Sequence, residues 1–582
     1  LSSVSATYAS TMPVSGVSRV ARTLLSSTKT YYSFAPNAMH LGRCRFTKWR
    51  SSSTTDTSSV DMDAFLTQFK NHEKSGVPVG AGVASDLNKR FDLEVMHRLL
   101  KKLDNPHRGY PVIHVAGTKG KGSTVSLLSS ILRSSGLNVG TYKSPHVRSV
   151  SERIVCGPLR LGDDTNGGDD AEERKPNLVS PNGLDTTTAE VLAKFASQPE
   201  NENLSYFECL TALAFLNFKK HKVDVAVVEV GVGGVTDATN VIHEKHLAAA
   251  VLTALGDDHL DALGGSLGSV AAAKAGIVKH ERPVFLSNQP SLEHEALLLS
   301  NIYKRGGRLV DDYDVTVGVT LKKVEWSGDE YENNKNTSAV AQVVDFEIHS
   351  VGVDDDGVGV LESRTIKNVK MNVLGPHQRE NARQAVRVVE FLKNKSEEYD
   401  NASYNCFANV TDEHLRFGLE TAQAPGCFEV LMKNISVTVI ADGAHTADSA
   451  NALFKTLNET VDVGIDSSKK LAVVIAMASD KNHVGFMEQI SKAYPDIVVF
   501  TETLVSGGGA RATDAQTLRR AWDQVSHEGN KNIKSIQLLV EPELERALDE
   551  AMAFVNGNGV VCVTGSLNVV GRAETWANGR KG

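Results

Sequence analysis

Residues 111–136 read PVIHVAGTKGKGSTVSLLSSILRSSG, and this stretch decides the architecture. An apolar run, Val112 to Ala116, enters a loop carrying Gly117, Gly120 and Gly122. A helical pattern follows, with Leu127, Leu128, Ile131 and Leu132 on one face, and stops at Gly136. A buried strand, a glycine loop and a helix in that order let backbone N–H groups close around phosphate oxygens at a helix N-terminus. The cradle then comprises Gly117, Thr118, Lys119, Gly120, Lys121, Gly122, Ser123 and Thr124. Lys121 would reach the terminal phosphates, and Ser123 or Thr124 could approach the accompanying magnesium. The match to GxxxxGK[ST] is imperfect, because Val115 stands at the first glycine and Gly122 at the hydroxyl position. Such a loop specifies nucleotide binding and no particular reaction.

Outward from this loop, the apolar runs 111–116, 223–230, 247–255 and 284–286 are separated by helical patterns. Short buried strands alternating with helices predict an α/β domain with a mainly parallel sheet. Ligands gather at the carboxyl ends of such strands. Three further strands end in polar residues: GLNVGTYKSPH near Ser144, VDVAVVEVGVGG at Glu229, and LAAAVLTALGDDH at Asp257, Asp258 and His259. A carboxylate inside an apolar run is costly unless paired or bound to metal. Hydroxyl, carboxylate and imidazole beside a triphosphate make a magnesium shell. Lys274, in AAAKAGIVK, reads on spacing alone as a lysine snorkelling to solvent.

A second α/β series spans 425–582, with candidate strands at 435–441, 471–477, 496–500, 535–540 and 559–564. It predicts a smaller Rossmann-like domain. Two stretches interrupt the pattern. Residues 157–204 are polar and turn-rich and read as a surface insertion; residues 310–370 alternate Val with polar residues and read as β-hairpins and loops.

The 582 residues, 41% apolar and 23% charged, suit a soluble globular chain with sizeable cores and exclude collagen-like, coiled-coil and wholly disordered classes. No apolar run approaches the roughly 18 residues of a membrane span. A net charge of −8 argues against general nucleic-acid binding. Six cysteines without a CxxC pair favour reduced thiols over a disulfide or zinc framework. Residues 1–55 are rich in Ser and Thr and hold basic side chains from Arg19 to Arg50 with no acid. That composition predicts an organelle transit peptide, read here as mitochondrial, with plastid or cytoplasmic location as alternatives.

Seven segments occur in a fixed order: HVAGTKGKGST, SPHVRSVSERI, FECLTALAF, EVGVGGVTDATNV, DDHLDALGGSLGSVAAAKAGIVK, GPHQRENA and DGAHTADS. Together they make the chain resemble the folylpolyglutamate synthase/dihydrofolate synthase family of the Mur ligase group. The resemblance implies a P-loop ATPase domain over 56–422 and a glutamate ligase domain over 425–582. It implies ATP and magnesium, with Ser144, Glu229, His259 and a carbamylated Lys274 as metal ligands and Lys121, Glu229, His259 and Lys274 as the catalytic set. Gln378 and Asn381 match positions near the nucleotide base. Asp442 and His445 match the motif that closes over ATP and the amino acid.

The implied partners are small molecules (L-glutamate and a pterin-containing acceptor), with no nucleic acid or membrane, in a monomer. KNHEKSGVPVGAG, YKSPHVRSVSERI, ALGGSLGSVAAAKAGI and AMASDKNHV are similar to plant-type dihydrofolate synthetase, which makes dihydropteroate the expected acceptor. Addition of glutamates to reduced folates, alone or as a second activity, is the alternative. Two departures stand out. Thr446 and Ala447 replace the Asn-Pro of many bacterial members, and Cys427 replaces a phosphate-binding arginine for which Arg511 is a candidate substitute. Two rivals are weaker. A cell-wall ligase needs an N-terminal domain for which 61–110 is too short, and an inactive nucleotide-binding regulator predicts erosion of Lys121, Ser144, Glu229 and His259, all of which are present.

Overall fold

The computed structural model describes residues 59–75, 93–158, 177–178, 184–201, 203–256, 260–311, 314–326, 340–353, 359–395, 405–433, 437–461, 463, 469–503, 511–525 and 536–580. The expected leader, residues 1–55, and His259 with Asp257 and Asp258 lie outside the described residues.

The largest sheet has eight strands: β1 (Val112–Ala116), β2 (Val139–Tyr142), β3 (Ile154–Cys156), β4 (Asn177–Leu178), β5 (Val225–Glu229), β6 (Leu247–Leu252), β7 (Pro283–Leu286) and β8 (Arg308–Leu309). Their spatial order is β8-β7-β6-β1-β5-β2-β3-β4. The six strands from β8 to β2 run parallel, and β3 and β4 turn antiparallel at one edge. Every residue of β1, β5 and β6 is buried, as expected of parallel strands covered on both faces. The register pairs Val115 with Glu229 and with Val251, and Leu252 with Leu286. The strands therefore end level, and their following loops share one edge.

Two groups of helices cover the sheet. On one side lie α1 (Leu93–Lys102), α3 (Thr186–Ala196), α4 (Tyr206–Lys220) and α5 (Leu267–Lys274); on the other lie α2 (Lys121–Ser134), α6 (Pro376–Lys395) and α7 (Asp412–Thr421). The interior helix α2 buries Leu127, Leu128, Ile131 and Leu132 completely, each worth about 1.5–3 kcal/mol of transfer free energy. The predicted hairpins at 310–370 form an antiparallel meander of β9 (Val315–Trp326), β10 (Val340–Val353) and β11 (Gly359–Met371), whose apolar face packs on α6.

The surface-insertion reading of 157–204 needs correction at its C-terminal end. Asp185 caps α3 by accepting from the Thr188 N–H at 2.8 Å, and Leu192, Phe195 and Ala196 enter the main core. A buried Asn201 accepts from Arg98 of α1. The polar, turn-rich composition reads as a surface stretch, but a good cap followed by an apolar helical face overrides it.

The third sheet holds β12 (Glu429–Lys433), β13 (Val437–Ala441), β14 (Lys470–Ile475), β15 (Ile497–Glu502), β16 (Gln537–Glu543) and β17 (Gly559–Thr564), in the order β12-β13-β17-β14-β15-β16. Five strands are parallel and match the five expected from sequence; β12 adds an antiparallel edge. Helices α8 (Ala447–Thr460) and α9 (Leu567–Asn578) lie against it. Among the described residues no helix is long and apolar enough to cross a membrane.

Candidate active site

The phosphate loop leaves β1 at Gly117, whose φ of 149° and position both demand glycine: a Cβ there would lie 1.8 Å from Thr253 Oγ1. The N–H groups of Thr118 and Lys119 both donate to the Ala254 carbonyl, at 2.9 and 3.1 Å, and the Thr118 hydroxyl donates to Gly256 O. The loop after β6 thus staples the phosphate loop in place. Gly120, at φ 87°, is the N-cap of α2 and offers no side chain to its free N–H groups. Those donors, with Lys121 and Gly122 half-buried beside them, remain turned to a ligand.

Gln378 and Asn381 of α6 sit against this loop. Gln378 Nε2 donates to Ser123 Oγ at 3.1 Å, Asn381 Nδ2 donates to Gln378 Oε1 at 3.0 Å, and a Cβ on Gly120 would lie 2.5 Å from Asn381 Oδ1. The two amides brace the phosphate cradle. Thr124 is buried, and its hydroxyl has no hydrogen-bond partner among the described residues.

Glu229 ends β5 at 3% exposure, and its Oε2 accepts the Ser144 N–H at 3.1 Å. A Cβ on Gly122 would be 3.5 Å from that same oxygen. Burial raises the Glu229 pKa, opposed by the charge of Lys121, the Ser144 N–H, Lys143 and Arg153. Among the described residues no cation lies within ion-pairing distance of this carboxylate. A buried acid without an ion pair, joined to Ser144 and next to the phosphate loop, fits a magnesium ligand. Among the described residues no three His, Cys, Asp or Glu side chains cluster as a metal site. Lys274 does not snorkel: it is 4% exposed, and its ammonium donates to the Gly117 carbonyl at 2.9 Å. The short helix α5 ends under the phosphate loop, so the side chain points inward.

The third sheet contributes a second wall. Asp442 follows β13 and accepts from the Phe428 and Ala444 N–H groups, each at 2.8 Å. Burial, with help from the charge of Glu429, pushes its pKa up to about 6 against those two hydrogen bonds. His445 Nδ1 lies 2.8 Å from the Gly443 carbonyl, so Nδ1 carries a hydrogen and donates to it. Thr446 caps α8 through Ser449 in a capping box, which gives that departure a structural reason. Asp448 reaches the Gly256 segment that holds Thr118. Cys427 is exposed in the cleft, yet its thiol lies near enough to Ser123 of the phosphate loop to be influenced by that hydroxyl; burial of its surroundings pushes it up to about 12.

Arg511 has other work. It donates to the Glu73 carbonyl and pairs with Asp480, both at 2.7 Å.

Sequence reasoning missed the connection between Ser144 and the third sheet. Arg148 pairs with Glu429 and Glu574, and Val147 packs into the core beneath β12 and α9. Arg153, 2% exposed, binds both Glu73 oxygens and donates to His146 Nδ1 at 2.9 Å. These arginines stood in the quoted motif SPHVRSVSERI, but nothing in their spacing named their distant partners.

The chain matches the Mur ligase middle domain over residues 182–389 and the Mur ligase glutamate ligase domain over 427–567. It is 26% identical to a dihydrofolate synthase/folylpolyglutamate synthase of Bacillus subtilis, covering 68% of this chain and 77% of that protein. It is also 26% identical to a folylpolyglutamate synthase of Lacticaseibacillus casei, covering 75% and 88%. Among solved structures, Mycobacterium tuberculosis folylpolyglutamate synthase complexed with ADP and AMPPCP superposes with a TM-score of 0.61 at 25% identity, over 84% of this chain and 96% of that one. With both Mur ligase modules in order around one phosphate loop, the chain belongs to the folylpolyglutamate synthase/dihydrofolate synthase family of the Mur ligase group.

Proposed function

We propose that this ATP-dependent ligase joins the amino group of L-glutamate to the carboxylate of dihydropteroate, forming dihydrofolate. The carrying observation is the meeting of the phosphate loop, with Glu229 and Ser144, and the two segments of the third sheet that bear Cys427, before β12, and Asp442, after β13. One half holds a nucleotide, and the other reaches it with the residues of the glutamate ligase module.

The reaction follows from the weakness of a carboxylate as an acylating agent. A carboxylate oxygen of the acceptor attacks the γ-phosphorus, ADP departs, and an acyl phosphate results. The glutamate amine attacks that carbonyl, and phosphate leaves. This chain contributes positioning and charge stabilisation. The N–H groups at the start of α2 and Lys121 hold the phosphates, Gln378 and Asn381 keep their cradle in shape, and the third sheet presents the amino acid and excludes water. Ser144 and Glu229, with His259 and the carbamate of Lys274, are the residues to hold magnesium, which supplies charge neutralisation at the phosphoryl group when bound.

Dihydropteroate as acceptor is supported by the segments similar to plant-type dihydrofolate synthetase. Reduced folates are the second reading, favoured by the relative from Lacticaseibacillus casei that carries only the folylpolyglutamate synthase name. The Bacillus subtilis relative carries both names. The test supplies ATP, magnesium and labelled glutamate with dihydropteroate, tetrahydrofolate or its glutamylated forms in separate reactions. Label incorporated with dihydropteroate supports the reading; label incorporated with folates alone rejects it.

A further inference from the structure

Lys143 is a cation for which the reading above has no task. It follows β2 and directly precedes Ser144. Side chains alternate along the strand: the Tyr142 hydroxyl pairs with Thr211 of α4, while Thr141 reaches Ser129 of α2 on the opposite face. Lys143 shares the Thr141 face, and its ammonium donates to Ser126 Oγ of α2 at 3.0 Å. One turn nearer the phosphate loop on that helix, Ser123 meets the Cys427 thiol. Lys143 therefore stands at the seam between α2 and the Cys427 loop, on the Ser144 side of the cradle.

Its charge is incompletely satisfied. Ser126 is a neutral partner, and among the described residues no carboxylate lies within ion-pairing distance of Nζ. Glu229 and Glu152 lie near enough for their charges to act on it without pairing. Glu229 is in the complementary state: a buried carboxylate in the field of Lys143 and Lys121 without an ion pair. A buried cation without an ion pair suits an anionic ligand, and the neighbouring Glu229 is the carboxylate read above as a magnesium ligand. Among the described residues the third sheet presents Cys427 at this spot, and Arg511 is engaged with Glu73 and Asp480.

We propose that Lys143 is a second phosphate-binding residue, which receives the phosphoryl group as it passes from ATP to the acceptor carboxylate. Lys121 belongs to the loop and serves the phosphates of bound ATP. Lys143 reaches in from the neighbouring strand, on the side where the acceptor must meet the third sheet. In the transfer, the P–O bond to ADP breaks with its electron pair on the ADP oxygen while the carboxylate oxygen bonds to phosphorus. Lys143 donates hydrogen bonds to the phosphoryl oxygens and gains or loses no covalent bond.

The inference rests on the ligase reading, so its deciding test is a binding measurement that uses neither acceptor nor glutamate. Orthophosphate is titrated calorimetrically into the full-length protein with ADP and magnesium. Lys143→Met is expected to weaken orthophosphate roughly tenfold or more, as loss of a charge-assisted hydrogen bond does, with ADP affinity and thermal midpoint unchanged. Lys143→Arg is expected to keep most of the affinity. Where the methionine variant does not fold, Lys143→Gln replaces it. In turnover, the Met variant is expected to lose kcat by roughly 100-fold with KM for ATP little changed. Orthophosphate affinity equal in wild type and the neutral variants, or absent from both, overturns the proposal. An error in the acceptor would show only in the labelled-glutamate assay.

Discussion

Glu229 shows how a single residue ties sequence to chemistry. An acid at the end of an all-buried strand has a cost that only a partner or a metal removes, and its contact with the Ser144 N–H shows where that partner must sit. Lys121→Ala and Glu229→Ala are each expected to abolish ligation while circular dichroism and the thermal midpoint stay near wild type; near-normal turnover by either would remove the phosphate-site assignment. Asp442 makes a pH-dependent prediction. Its folded pKa is raised from 3.8 to about 6, mainly by burial, so the folded state holds the proton more tightly than the unfolded chain does. Its contribution to stability therefore falls as pH rises between those two values and is level above them. The thermal midpoint of wild type relative to Asp442→Asn should decline across that window, and a flat difference would contradict the assigned environment. The Glu229 and Lys121 positions were legible from sequence. Lys274 was legible only through family resemblance, because a lysine among alanines looks solvated until the helix is seen to end beneath Gly117.

At the scale of elements, the phosphate loop is held from two sides, by the loop after β6 and by α6. Gly117 is the tightest point. Gly117→Ala places a methyl group against Thr253 at a left-handed φ, and an expected loss of about 1–3 kcal/mol in denaturant unfolding should accompany loss of ATP binding. Unchanged binding and stability would mean that the loop is looser than its packing indicates. Strand-loop-helix order was readable because residues 111–136 state it locally, and the five parallel strands of the third sheet were readable from short apolar runs. The edge strand β12 was not. Its apolar residues are interleaved with Glu429 and Lys433, and its identity comes from pairing with β13. The helix α3 was hidden in a polar, turn-rich stretch, where only the capping Asp185 and the apolar face behind it mark a helix.

At the scale of the whole molecule, the segment 144–149 joins the two α/β layers. Ser144 is bound to Glu229, His146 to Arg153, and Arg148 to Glu429 and Glu574. The segment whose Ser144 is proposed to hold magnesium is thus anchored on the third sheet. Arg148→Ala is expected to lower kcat by roughly tenfold while leaving ATP affinity intact, because it loosens the alignment of the two halves and touches no phosphate. An equal loss of ATP affinity would assign Arg148 to the nucleotide site instead. Long-range pairs of this kind are absent from any local pattern in the sequence, whereas the order of the two modules is plain in it. The central claim is that both halves act on one acyl phosphate. Acceptor labelled with ¹⁸O in its carboxylate should deliver one ¹⁸O to the phosphate product for each amide bond formed; phosphate free of label, with amide still accumulating, would contradict the account.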